Sequence, residues 1–84
     1  MPAYSEKFPV GTAVQIADSS VLRRFRSTWH LHNPLVAEQL AWAGRQAVVA
    51  EVGFYHGGDP LYVLQGTPGV WHEECLTSIT DRAP

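Results

Sequence analysis

Apolar and polar positions along this chain follow two rhythms, and the change falls at Gln46. Ahead of it, Thr12-Ala13-Val14-Gln15-Ile16 alternates β-branched residues with smaller or polar ones until Asp18-Ser19-Ser20 breaks the pattern, which predicts a first strand. Val21, Leu22, Phe25 and Trp29 then recur at near-helical spacing, while Ser27, Thr28 and the His30/His32 alternation suit an extended segment equally well. Residues 20–32 fit a loop, an extended stretch or a short turn of helix. Asn33-Pro34 reads as a helix start, because Asn accepts from the free amides of a first turn and Pro is harmless at the first helical position. An α-helix is predicted over residues 34–43, with Val36, Leu40 and Ala43 on its buried face and Gly44 as the left-handed residue that ends it.

From Gln46 onward the period is two. Residues 47–55 form a predicted long strand, Gly57-Gly58-Asp59-Pro60 a turn, and residues 61–65 a second strand of the hairpin. In Thr67-Pro68-Gly69-Val70, Pro and Gly suit the two central positions of a type II turn. Residues 70–72 open another strand. Residues 73–76 interrupt it as one 3₁₀ turn, after which Thr77-Ser78-Ile79 can pair back with the first strand.

Five short strands, tight turns and a 3₁₀ turn before the last strand amount to a mainly β plan. It is that of a small SH3-like five-stranded barrel with one inserted α-helix at about residues 34–43. The opening Phe8-Pro9-Val10-Gly11-Thr12-Ala13-Val14 resembles the strand entry of the SH3-like domain in nitrile hydratase β subunits, and Ala43-Gly44-Arg45-Gln46-Ala47-Val48-Val49 is similar to a later strand entry of that domain. The resemblance runs over residues 8–80 and implies a fold. In nitrile hydratases the catalytic metal sits in the α subunit on a cysteine cluster that this chain lacks, so no catalytic residue carries over. Tyr55-His56-Gly57-Gly58-Asp59 and Trp71-His72-Glu73-Glu74-Cys75 resemble the signature strings of a small bacterial family.

At 84 residues the chain holds a single domain with a thin core. Hydrophobic residues at 45% and charged residues at 17% place it among ordinary globular chains. A net charge of −2 gives no global attraction to nucleic acid or to an anionic membrane, so any such binding is local. A lone cysteine excludes an intrachain disulfide, and no basic, apolar leader opens the chain; a cytoplasmic home is expected. No apolar run is long enough to span a bilayer.

Chemistry gathers at two places. Tyr55, His56, Asp59, Trp71, His72 and Glu73 surround the turns and strand ends of the second half, where flat amphipathic rings anchor protein interfaces. They are the expected contact surface of a non-enzymatic interaction or accessory module for a protein or peptide partner. The opposing reading makes Trp71 and Tyr62 core-filling rings. Arg23, Arg24 and Arg26, interleaved with Phe25, Trp29 and His30, suit phosphate contacts and base stacking, which keeps a nucleic-acid-binding domain as an alternative. A small zinc protein is a third reading, with His56, His72 and Cys75 as ligands and His30 and His32 nearby, although these ligands are scattered and only one is sulfur. His72 and Cys75 lie three apart and would eclipse in a 3₁₀ turn, which would set a thiolate nucleophile beside an imidazolium, but Cys75 equally suits a small buried apolar position.

Overall fold

The computed structural model describes residues 6–55 and 58–79. β1 (Ala13–Ile16) leads through Asp18 into α1 (Ser19–Thr28) and a 3₁₀ helix (Ala37–Trp42). There follow β2 (Gln46–Tyr55), β3 (Asp59–Leu64), β4 (Trp71–His72), a second 3₁₀ turn (Glu73–Cys75) and β5 (Leu76–Ser78).

The strands make one antiparallel sheet in the order β4-β3-β2-β1-β5. β2 serves two neighbours. Its first residues pair with β1, Val14 opposite Ala47, and the rest pair with β3, Val52 opposite Tyr62. A register shift between Val49 and Glu51 marks the changeover, since one extra residue lets a strand bend and twist more sharply. β4 and β5 are the outermost strands, yet only Glu73–Cys75 separates them. Three residues reach roughly 10 Å at most, so the sheet must curl until its two edges approach each other. It is not closed into a barrel: the ladders end at β4 on one side and β5 on the other.

Phe8, Val14, Ile16, Leu22, Leu35, Val49, Tyr62, Leu64, Trp71, Cys75 and Leu76 fill the concave side. Alternation in β1 and β3 is what aims Val14, Ile16, Tyr62 and Leu64 inward. The return strand pairs with β1 as the sequence predicts but begins one residue sooner, at Leu76, with Val14, Gln15 and Ile16 opposite Ser78, Thr77 and Leu76.

The segment between β1 and β2 departs from expectation in two ways. Residues 19–28 are a true α-helix: Val21 N–H donates to the Asp18 side chain at 3.0 Å, capping the first turn, and Leu22 is buried. That bond, together with one from the Ser20 hydroxyl, holds the Asp18 carboxyl below its ordinary range. The predicted α-helix over residues 34–43 is instead a shorter 3₁₀ helix, Ala37–Trp42. Asn33 does not cap it; Asn33 takes a left-handed φ of 50°, and Leu35 drops into the core from extended chain. The side chain of Gln39 performs the capping instead, accepting from Val36 N–H at 2.9 Å. Gln39 is turned inward and buried, while Val36, the residue just ahead of the 3₁₀ helix, stays 43% exposed. Gly44 does end the segment at φ 77°, its N–H donating to the carbonyls of Ile16 and Ala17. A smaller correction concerns the hairpin turn: Asp59 and Pro60 already belong to β3, opposite Tyr55 and Phe54.

Candidate functional site

α1 ends at Thr28, and the chain then doubles back so that Trp29 donates its indole N–H to the His32 carbonyl at 2.7 Å. This small loop brings Trp29 and His32 onto the strand ends at β3 and β4. Phe25 stacks on Trp29 with ring centroids 5.3 Å apart, and His72 lies against both, at 4.9 Å from Phe25 and 4.8 Å from Trp29. His72 Nε2 is 2.8 Å from the Asn33 carbonyl oxygen. A carbonyl only accepts, so Nε2 carries the proton. His32 lies flat on Tyr55 at 3.7 Å, with its edge toward Trp29.

Beside this cluster is a cleft of about 460 Å³ lined by Lys7, Trp29, Asp59, Pro60, His72, Glu73 and Glu74. β3 supplies Asp59 and Pro60, the second 3₁₀ turn supplies both glutamates, and the N-terminal segment supplies Lys7. A buried tyrosine ties that segment down. Tyr62 donates its hydroxyl to Glu73 Oε2 at 2.5 Å and accepts from Lys7 N–H at 3.0 Å and from Phe8 N–H at 3.3 Å. Burial, reinforced by the hydrogen bond to Glu73, pushes the Tyr62 hydroxyl up to about 12. The Lys7 ammonium lies 5.5 Å from the Phe8 ring centroid. Among the described residues no lysine or arginine lies within ion-pair reach of Asp59, Glu73 or Glu74; the one ion-pair contact there is His32 Nε2 to Asp59 Oδ2 at 3.4 Å. That approach lacks hydrogen-bond geometry, which leaves His32 Nε2 buried and without a partner.

The expected contact surface is thus partly assembled. Asp59, His72 and Glu73 line one cleft, and Tyr55 stands behind it, 39% exposed and stacked on His32. Trp71 is completely buried, its indole N–H donating to Thr67 Oγ1 at 2.9 Å, so its ring belongs to the core. His56 lies outside the described residues. Trp29, Pro60, Glu74 and Lys7 join the cleft unforeseen; the helical spacing of Trp29 after Phe25 explains their stacking but not the approach of either to the cleft.

Arg23 and Arg26 share one side of α1 and, with Ser27 and Leu40, line a second depression of about 470 Å³. Arg24 projects roughly 100° away around the helix, so the three do not make one basic face. Arg26 also donates to the Leu35 carbonyl at 3.3 Å. Of the zinc candidates, Cys75 is buried, and burial pushes its thiol up to about 12, while His72 is engaged by Asn33. His30 is exposed, whereas the His32 side chain is largely buried. Among the described residues no three His, Cys, Asp or Glu side chains come together as a metal would require. Likewise no helix there is long and apolar enough to cross a membrane.

No family model, curated protein or solved structure matches this chain.

Proposed function

We propose that this chain is a small SH3-like interaction module without chemistry of its own, which holds a protein or peptide partner in the cleft beside Trp29, Asp59, His72, Glu73 and Glu74. The observation that carries this reading is the cleft itself. An aromatic and proline-lined surface meets three carboxylates there, in a cleft of about 460 Å³. Rings at such a surface supply contact area at low entropic cost, while charges at the rim set register and choice of partner. The strand order and the 3₁₀ turn linking the outer strands support the SH3-like plan.

Catalysis has little to work with. The cysteine is buried and its thiol is held protonated far above neutral pH, so it offers no thiolate nucleophile. The nearest histidine, His72, already spends one nitrogen on a backbone carbonyl.

Affinity capture with charge-reversed variants tests the proposal. Asp59→Lys and Glu74→Lys change exposed side chains, so the fold should persist while the captured partner is lost; Arg24→Glu should leave capture unchanged. If capture survives both cleft variants, and salt-sensitive retention on RNA falls instead with Arg23→Glu and Arg26→Glu, the nucleic-acid reading replaces this one.

A further inference from the structure

We infer that the cleft receives a cationic side chain, arginine or lysine, projecting from the partner polypeptide. This rests on the reading of the chain as an interaction module and specifies the chemistry of what the module holds. Asp59, Glu73 and Glu74 line a single cleft, and among the described residues no lysine or arginine neutralises them. Lys7, the one cation on the rim among the described residues, has its ammonium near the Phe8 ring. Glu73 already accepts at Oε2 from the Tyr62 hydroxyl and the Lys7 N–H. Its other oxygen and the exposed carboxylates of Asp59 and Glu74 remain for a ligand.

Like charges facing one cavity repel one another, and a cation placed among them relieves that repulsion as well as making its own contacts. His32 does not serve this purpose. Its Nε2, on a side chain only 10% exposed, approaches the Asp59 carboxylate to 3.4 Å yet makes no hydrogen bond. Trp29 supplies the second requirement: it lines the same cleft, backed by Phe25, and an aromatic ring attracts a cation and packs along its methylene stem. Arginine fits this combination best. Its planar guanidinium can stack on a ring while donating to two carboxylates at once.

The test uses the whole chain and a set of short acetylated, amidated glycine peptides with one central arginine, lysine, citrulline or norleucine. Binding is followed by NMR through the Trp29 indole resonance and the amides of Asp59, Glu73 and Glu74. The arginine and lysine peptides should move these resonances, with the arginine peptide at least about tenfold tighter than its citrulline isostere, as the loss of one charge-assisted hydrogen bond requires. That advantage should shrink as salt rises and in the Asp59→Asn, Glu74→Gln double variant. Equal binding of the arginine and citrulline peptides would overturn the cationic ligand while leaving a peptide cleft in place. Absence of any shift at the cleft with all four peptides would overturn it as well, and capture insensitive to Asp59→Lys and Glu74→Lys would then remove the module reading separately.

Discussion

Tyr62 shows how the core-filling reading of a strand aromatic is decided by its hydroxyl as well as its ring. Period two in β3 points it inward, and its hydroxyl then holds Lys7, Phe8 and Glu73 together from within the core. The raised pKa has a direct consequence. Between its ordinary value of 10.0 and about 12, Tyr62 ionises in the unfolded chain but keeps its proton in the folded one. Stability is therefore fully present below pH 10 and is lost as pH rises toward 12. Cys75 acts with the same sign over a window that opens earlier, from 9.0 to about 12. Urea denaturation across pH 8 to 12 should show a steady fall, and Tyr62→Phe should make that fall shallower above pH 10; an unchanged slope would refute the assignment.

At the scale of elements, the strands were legible and the connecting segment was not. β1, β2 and β3 announce themselves because alternation depends only on which face meets the core. The 3₁₀ turn before β5 follows from a polar run too short for anything else. Residues 19–42 carry no such single signal. The helical spacing of Leu22 and Phe25 is genuine, but Ser27 and Thr28 weaken it, and the His30/His32 alternation belongs to the loop after the helix. Asn33-Pro34 mimics a cap, and what overrides it is tertiary: Leu35 is pulled into the core, and Gln39 bridges the Val36 N–H and the Val70 carbonyl from a buried position. That bridge predicts an asymmetry. Gln39→Leu should cost on the order of 2–4 kcal/mol by leaving two backbone groups unpaired. Gln39→Glu keeps the acceptor for Val36 but loses the donor for Val70, so it should also destabilise, and more at neutral pH than in acid. Thermal denaturation of both variants at pH 4 and pH 7 would check this. Gly69 belongs to the same junction: at φ 69° a Cβ there would lie 3.1 Å from the Gln39 side chain.

For the whole molecule, the candidate site was half visible in the sequence. Asp59, His72 and Glu73 could be placed at strand ends by counting periods, because local geometry fixes those positions. Trp29, Pro60 and Lys7 reach the same cleft through the doubling back of the chain after α1 and through the Tyr62 anchor, contacts between distant positions that periodicity does not encode. Trp71 escaped for the converse reason: a large ring beside a turn is equally suited to surface and core, and only the curl of the sheet decides. In this chain the core takes it.

The antiparallel pairing of the first and last strands also sets how the molecule responds to load. The start of β1 and the finish of β5 lie side by side, where Val14 faces Ser78. Tension applied outward through those two points does not slide the strands past each other. It peels them, loading Val14–Ser78 first, then Gln15–Thr77, then Ile16–Leu76, each pair bearing the force alone. Stretched between handles attached at Thr12 and Ile79 in an optical trap, the domain should yield at low force, beginning with release of β5 and the glutamate-bearing turn attached to it. Tension on the chain would then open the cleft in the same step that draws Cys75 and Leu76 out of the core.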